Sequence, residues 1–280
     1  MTRRRQRRSP DVAESLREYG RGVGGGFLFS MPLLFTMEMW AGGATIPPGR
    51  LLGGILATFV LLCGYNLFAG LRHDSTMAEV AIDSVEELGI GLALSAGVLY
   101  LLGRLPPEAS AAESLSVIVL EGLFVAVGVS VGTAQLSSGD ADAGTPQGRH
   151  QTLWSEIVLA VCGSVLIAAN VAPTEEILIL ASELHAMQLL ATMGLSLALA
   201  ATLLFYSDFA GSGRFAGVRG SFGVVHGSAI TYAAALVVSA ATLWFFGRFT
   251  GHGAALNAAQ SVVLGLAATL GAAAGRLLLR

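Results

Sequence analysis

Long apolar runs alternate with short polar segments along the whole chain. Eight runs are long enough to cross a hydrocarbon core of ~30 Å as helices, which rise ~1.5 Å per residue. They are residues 22–41, 51–70, 84–104, 113–136, 152–172, 174–206, 220–247 and 253–275. This pattern predicts an all-α fold, a polytopic transmembrane helix bundle of about eight spans.

Local helix signals support several of these boundaries. Ser84 with Glu87, and Ser110 with Glu113, have the S-x-x-E spacing of a capping box, which satisfies free backbone N–H groups at a helix start. Pro32 lies inside the first run. It is expected to kink or open that helix, because proline removes a hydrogen bond to an earlier carbonyl.

Polar segments divide the chain into four parts. Residues 1–21 form a basic N-terminal segment, in which residues 9–20 predict a helix lying on the membrane surface. The first four-span half is 22–136, a polar cytoplasmic linker is 137–151, and the second four-span half is 152–280. A second short interfacial helix is expected at 71–83.

The two halves share one short pattern. SVEELGIGLALS (84–95) and PTEEILILASEL (173–184) both begin a span with two adjacent glutamates. In an eight-span arrangement these two helices run in opposite directions. An inverted repeat of spans two to four against spans five to seven would explain the match, as in many transporters. Chance similarity between apolar helices is the alternative.

Composition excludes an ordinary soluble domain. The chain is 54% hydrophobic and 12% charged, with a mean hydropathy of +0.68. A soluble domain carries about twice that charged fraction. The lipid bilayer is therefore the first predicted partner.

Arginine supplies all sixteen basic residues and predicts the orientation. With both termini cytoplasmic, only Arg50, Arg104 and Arg248 lie outside, which is a strong positive-inside bias. We interpret the N-terminal arginine run as an orientation signal, so no nucleic acid partner is expected. The simplest location is the bacterial cytoplasmic (inner) membrane.

Five carboxylates interrupt the spans, where an ionised side chain costs ~2.5–3.5 kcal/mol at the bilayer centre. Glu38 lies in the first predicted span, Glu121 in the fourth, and Glu175, Glu176 and Glu183 in the sixth. The topology brings all five into the outer half, with Glu183 about two turns deeper than the adjacent pair. These are the candidate ion-binding or pore-lining residues.

Each of these acids also has an explanation without function. A helix N-terminus favours negative charge, which accounts for Glu175 and Glu176. Hydrogen bonding between helices by a protonated acid is the alternative for Glu38, Glu121 and Glu183.

Further ionisable residues extend the predicted path. His185 is a candidate proton relay, since it lies two residues from Glu183. Glu86, Glu87 and Glu156 would form an acidic inner vestibule, although helix capping also explains acids at such positions.

Enzymatic signatures are missing from the sequence. An adjacent glutamate pair resembles the EExxxR motif of intramembrane prenyl-type proteases, but Leu180 stands where the arginine belongs. The sequence contains no G-x-S-x-G, H-E-x-x-H or phosphate-binding loop. Because His185 and His226 lie at different predicted depths, haem ligation is not expected either. We predict neither an enzyme nor a cofactor.

GGFLFSMPLLFTMEMW in the first span, together with NVAPTEE before the sixth, resembles a bacterial family of integral membrane proteins of unknown function. The resemblance covers most of the chain after the N-terminal arginines. It implies a multi-span fold and no established activity, and it gives weight to Glu38 and to Glu175 with Glu176.

The sequence thus predicts a cation channel or a proton-coupled cation transporter with membrane-embedded carboxylates along the path. A non-transporting membrane scaffold or sensor is the alternative, and an intramembrane enzyme is the third reading. Gly271 and Gly275 in the last span permit close helix packing and could form a homo-oligomer face, although packing within the chain is the more common role of such a pair.

Overall fold

The computed structural model describes residues 12–68, 76–106, 108–137, 153–211 and 220–278. Among them it has ten helices and no strand, which confirms the all-α prediction. The helices are α1 (Val12–Leu34), α2 (Met37–Thr45), α3 (Pro48–Phe68), α4 (Met77–Leu101), α5 (Ala111–Ser137), α6 (Leu153–Val171), α7 (Glu176–Glu183), α8 (Ala186–Gly211), α9 (Gly220–Phe245) and α10 (Ala254–Leu278). The arginine-rich residues 3–8 and most of the predicted linker lie outside the described residues.

Seven of the described helices are long and apolar enough to cross a membrane: α3, α4, α5, α6, α8, α9 and α10. The helix α1 is not among them, because its N-terminal half carries several charges. A multi-span membrane bundle is thus supported, while the predicted first span is not a single apolar helix.

The predicted boundary between an interfacial helix at 9–20 and a span at 22–41 is wrong. The helix α1 runs without interruption from Val12 to Leu34, and α2 follows after two residues. As the proline predicts, the break comes just after Pro32: Phe35 N–H donates to the Pro32 carbonyl at 3.3 Å and Thr36 N–H to the Leu33 carbonyl at 3.2 Å. These are the 3₁₀-type turns that often end an α-helix, whereas the bond that Pro32 itself cannot make, to the Leu28 carbonyl, lies one turn earlier within α1.

The predicted sixth span, 174–206, is also not one helix. It divides into the short α7 and the long α8, because Leu184 has an extended backbone. Gln188 then caps α8 by accepting a 2.8 Å hydrogen bond from the His185 N–H through its side-chain oxygen.

The observed capping bonds confirm one predicted helix start and contradict another. Ser110 and Glu113 form the predicted capping box, with reciprocal bonds of 2.9 and 3.2 Å. The predicted start at Ser84 is wrong, because α4 begins at Met77 with a capping box between Thr76 and Glu79. The short helix predicted at 71–83 is therefore, from Met77 onward, part of α4.

Glycine contacts show how α1 and α2 run along α5. A Cβ on Gly25 would overlap Gly132, while one on Gly43 would meet Val117. Since Gly25 precedes Gly43 and Gly132 follows Val117, the α1–α2 pair is antiparallel to α5. We call the end at which α1 begins the near end, and the end at which α5 begins the far end.

The five helices α1–α5 are repeated in α6–α10. Within each unit the last helix lies at the centre: α5 packs on α1, α2, α3 and α4, and α10 packs on α6, α7, α8 and α9. In both units the second helix is short and follows a break, and the third helix begins three residues after the second one ends.

Local details repeat as well. LYLLGR (99–104) at the end of α4 corresponds to LWFFGR (243–248) at the end of α9. In both, the helix ends at a glycine with a positive φ, 68° at Gly103 and 75° at Gly247, which is the left-handed backbone conformation common at helix C-termini. At the breaks, the Thr36 hydroxyl donates to the Leu33 carbonyl and the Thr174 hydroxyl to the Val171 carbonyl, at 3.0 and 2.8 Å.

The two units point the same way through the bundle. Gly64, near the end of α3, faces Val158 near the start of α6, so α6 also begins at the near end. The helix pairing therefore follows a direct repeat in chain order, and the inverted repeat considered from the sequence is wrong. The glutamate pairs of α4 and α7 do not occupy equivalent positions in the two units, so their similarity does not reflect the repeat.

Candidate functional site

Glu121 on α5 is the centre of the candidate site. Its side chain is fully buried, and neither carboxylate oxygen has a hydrogen-bond partner among the described residues. It lies about 15 Å along α5 from the first residue of that helix, at ~1.5 Å per residue. A buried carboxylate without a partner is costly, so it needs a functional explanation.

Trp40 on α2 is the polar neighbour of this carboxylate. Its indole nitrogen is buried and completes no hydrogen bond. The Arg104 guanidinium carbon lies 4.0 Å from the centroid of the same ring, a cation–π contact. Trp40 is therefore a neighbour both of Glu121 and of a surface arginine at the far end.

Ser95 on α4 adds a third unpartnered polar group at a similar level. It is fully buried and its hydroxyl has no partner among the described residues. Gly91 contacts the carbonyl of Gly122, and α4 runs antiparallel to α5, which puts Ser95 within about one helical turn of Glu121 along the bundle.

The second half of α2 also belongs to this region. A Cβ placed on Gly42 would lie 3.6 Å from Leu120, so this part of α2 is level with Glu121, and the break between α1 and α2 lies between one and two helical turns away toward the near end. Broken helices expose backbone carbonyls and N–H groups that can bind ions inside a membrane. We call Trp40, Ser95 and Glu121 the unpartnered cluster.

Gln260 occupies the position of Glu121 in the second repeat. It is fully buried on α10, and its amide nitrogen and oxygen both lack partners among the described residues. The equivalents of the other two members differ: Leu178 replaces Trp40, and the Ser239 hydroxyl is satisfied by the Ala235 carbonyl at 2.7 Å. The duplicated site thus has a carboxylate in one unit and a neutral amide in the other.

The structure does not bring the other predicted far-end acids together with Glu121. Glu38 lies in the first turn of α2 and is exposed. Glu175 is exposed and pairs with Arg248 through a 2.6 Å contact between Oε1 and Nη1. Glu176 begins α7 and is also exposed.

The position predicted for Glu183 is wrong. It is the last residue of α7 and is exposed, rather than lying two turns inside a continuous span. His185 lies in the connection to α8, also exposed, and its ring faces Gln188. The reason is the break at Leu184, which apolar periodicity alone does not reveal.

A separate polar cluster lies in the near half of the first repeat. The Asn66 side-chain nitrogen on α3 donates to Glu87 at 2.9 Å and to the Ser84 hydroxyl at 3.2 Å, both on α4. The Ser130 hydroxyl on α5 donates to the Asn66 oxygen at 3.5 Å. Glu86, exposed one residue away, accepts a hydrogen bond from Tyr19.

The near half of the second repeat holds a buried ion pair instead. Arg276 on α10 donates to Glu156 on α6 at 2.9 Å, to the Thr231 hydroxyl at 2.6 Å and to the Gly227 carbonyl at 2.8 Å. Of the predicted inner vestibule, Glu87 and Glu156 are therefore engaged in helix-to-helix contacts.

Sequence reasoning missed most members of these clusters. Trp40, Ser95 and Gln260 are uncharged, so a search for ionisable residues passes over them. The pairing of Glu121 with Gln260 comes from helix packing, because each lies eleven residues before the glycine, Gly132 or Gly271, at which the central helix crosses the first helix of its unit. Among the described residues, no group of three or more metal-ligating His, Cys, Asp or Glu side chains occurs.

Apolar helices of spanning length around a buried polar cluster define the class: this is an integral membrane protein. Residues 18–279 match the family described as "Putative integral membrane protein (DUF2391)", and the chain belongs to that family. No curated protein and no solved structure matches the chain.

Proposed function

We propose that the protein conducts or exchanges a cation, and that Glu121 is its principal binding residue. The observation that carries the proposal is the full burial of this carboxylate with both oxygens unpartnered among the described residues. The alternative, a helix-to-helix hydrogen bond, is not formed among the described residues, because the neighbouring Trp40 indole N–H completes no hydrogen bond to the carboxylate. A cation or proton arriving at Glu121 would supply the missing partner.

Two features of the fold support a transport role. Each repeat carries a broken helix beside a buried polar residue, Glu121 or Gln260, and discontinuous helices form the binding sites of many transporters. Trp40, which neighbours Glu121 and carries Arg104 on its ring at the far end, would close the site there, as an occluded state in an alternating or gated cycle requires.

The exposed acids have a lesser role in this proposal. Glu38, Glu176 and Glu183 would raise the local cation concentration at the far end, since surface charge attracts counter-ions. Glu175 contributes less, because Arg248 neutralises it. Glu87 would be the second carboxylate along the route, and His185 stays a proton-relay prediction.

The remaining sequence predictions extend the proposal. The protein would lie in the cytoplasmic membrane with both termini in the cytoplasm, and the α1–α2 pair would make the eighth crossing. It would need neither a catalytic residue nor a cofactor.

Flux measurements in liposomes test the proposal. Wild type, Glu121→Gln and Glu183→Gln would be reconstituted and assayed for uptake of K⁺, Na⁺ and Ca²⁺ against pH gradients of both signs. Losing a charge-assisted contact of about 1.5–3 kcal/mol predicts a roughly ten- to hundredfold flux decrease in Glu121→Gln. Glu183→Gln is the matched control and should retain most of the flux.

Each outcome decides one part of the proposal. No flux above empty liposomes for any cation or gradient contradicts transport. Flux that persists unchanged in a folded Glu121→Gln contradicts the assigned residue and leaves transport standing. A pH-dependent flux that loses its pH dependence in Glu121→Gln supports proton coupling at this carboxylate.

A further inference from the structure

The two repeats contact each other through different faces. The Phe245 ring at the end of α9 packs against Gly54 on α3, and the Arg50 guanidinium lies 5.7 Å from the centroid of the Trp244 ring. Thus the far end of α9, in the second repeat, is seated on the first turns of α3, in the first repeat.

If a two-fold axis related the two repeats, the end of α4 would likewise pack on the first turns of α8. Tyr100 and Leu101 at the end of α4 are the equivalents of Trp244 and Phe245, but they are 74% and 83% exposed. Phe245 is only 9% exposed. The exchanged contact is therefore not made, and the repeats are joined head to tail.

The near end shows the same asymmetry. Val158 on α6 packs beside Gly64 on α3. Its equivalent in the first repeat is Gly20, and no atom of the described residues lies within 4 Å of a Cβ placed on it. One face of each repeat is consequently left uncovered within a single chain.

The uncovered face of the second repeat lies at the start of α8. By position in the repeat, Gln188 corresponds to Arg50 and Thr192 to Gly54. Gln188 is exposed and Thr192 is half-buried, and Met187 beside them is 76% exposed. Among the described large apolar side chains, Leu101, Met187 and Tyr100 are the three most exposed, and they lie at the two unmatched ends.

We propose that a second copy of this chain covers these faces by repeating the internal contact. Tyr100 and Leu101 of one copy would pack on Met187, Gln188 and Thr192 of its neighbour, as Trp244 and Phe245 pack on Arg50 and Gly54 within the chain. The occupant follows from continuity with the internal interface, since the chain already contains both surfaces of this contact.

The direction of the repeats determines the form of the assembly. Both units have the same orientation through the bundle, so successive head-to-tail contacts propagate in the plane of the membrane. A head-to-tail interface either closes into a ring or continues without limit. In either form each copy contacts two neighbours, and the contact within one chain and the contact between chains are the same.

Cross-linking between two differently tagged copies tests the proposal. In a Cys63→Ala, Cys162→Ala background, one copy carries Leu101→Cys and the other Thr192→Cys. A short bismaleimide added to membranes that contain both should yield a heterodimer. Neither variant expressed alone should give a dimer, because each thiol would then face a surface without one.

Two further pairs calibrate the experiment. Gly54→Cys with Phe245→Cys in one chain should cross-link within that chain, which shows that the reagent spans this contact. Ile82→Cys, 63% exposed elsewhere on α4, should give no product with Thr192→Cys. Size-exclusion profiles in detergent that match wild type show that each variant is folded.

The outcomes separate clearly. A heterodimer for Leu101→Cys with Thr192→Cys alone supports head-to-tail assembly. A homodimer of Leu101→Cys by itself indicates a two-fold contact and overturns the proposal. No intermolecular product, while the pair at Gly54 and Phe245 reacts, overturns it too, and lipid then covers both faces. None of these results depends on transport activity.

Discussion

The guanidinium of Arg276 on α10 lies 2.9 Å from the carboxylate of Glu156 on α6, and the two side chains are 5% and 20% exposed. This pair ties the first and last helices of the second repeat together near the predicted cytoplasmic end. Breaking it should be costly, because the remaining charge is left without a partner in a poorly solvated place.

We expect Arg276→Met to lower the free energy of unfolding by about 3–5 kcal/mol. Reversible denaturation in detergent micelles, followed by tryptophan fluorescence, measures the change. The double variant Glu156→Gln, Arg276→Met should recover most of the loss, since no charge is then stranded. A double variant as unstable as the single one would show that Arg276 acts through Thr231 and the Gly227 carbonyl instead.

Close helix crossings at glycine predict a second effect on stability. A Cβ on Gly25 would overlap the backbone of Gly132, and a Cβ on Gly163 would overlap that of Gly271. We expect Gly25→Ala and Gly163→Ala each to destabilise by about 1–3 kcal/mol through overpacking. Thermal unfolding in detergent gives the comparison.

Gly97→Ala is the matched control, since Gly97 also lies in a helix but has nothing within 4 Å of a Cβ. Alanine favours helix there and should leave stability unchanged or raise it by up to about 1 kcal/mol. Equal destabilisation at all three positions would mean that the close helix crossings are not the cause of the lost stability.

We expect the Glu121 carboxylate to lower the free energy of unfolding while it binds the cation. Glu121→Met removes a buried, unpartnered carboxylate and fills nearly the same volume, so we expect the free energy of unfolding to rise by about 1–3 kcal/mol. Cation flux should fall at the same time. A variant that is less stable than wild type would assign Glu121 a structural role in place of the proposed one.

Trp40 should control access to this carboxylate from the far end. In a Cys63→Ala, Cys162→Ala background, the thiol of Glu121→Cys should react slowly with a membrane-impermeant methanethiosulfonate. Adding Trp40→Ala should accelerate the reaction several-fold, because the large ring next to position 121 is removed. Equal rates with and without Trp40 would indicate that access comes from the near end.

Exchanging the two equivalent polar residues tests the duplicated site. Glu121→Gln makes both repeats neutral, whereas Glu121→Gln with Gln260→Glu moves the carboxylate to the second repeat. If the polar sites beside the two helix breaks can bind a cation in the same way, the double variant should regain part of the flux that the single variant loses. A folded double variant without any recovery would confine the site to the first repeat.

Much of the membrane architecture was predictable because hydrophobic length is a local property. Each of the seven apolar spans among the described residues overlaps a predicted run, and the Ser110–Glu113 cap is confirmed. Pro32 also predicted the end of the first helix. These features depend on residues close in sequence, which is why the sequence alone was enough.

The assignment of the acids failed where it depended on contacts between helices. Glu183 was expected inside a span and lies exposed at the end of α7, because the break at Leu184 is stabilised by the Gln188 cap rather than by a proline or glycine signal. Glu175 was expected on the ion path and is neutralised by Arg248, a residue on a distant loop.

The sequence by itself determined that this chain is a bundle of membrane-spanning helices and that acids interrupt its apolar runs. Only the tertiary structure decided which acid is isolated from partners and which are paired or exposed, because burial depends on neighbouring helices. It also revealed the direct repeat that pairs Glu121 with Gln260. Their equivalence rests on helix packing, which is shared by the two halves although few residues are.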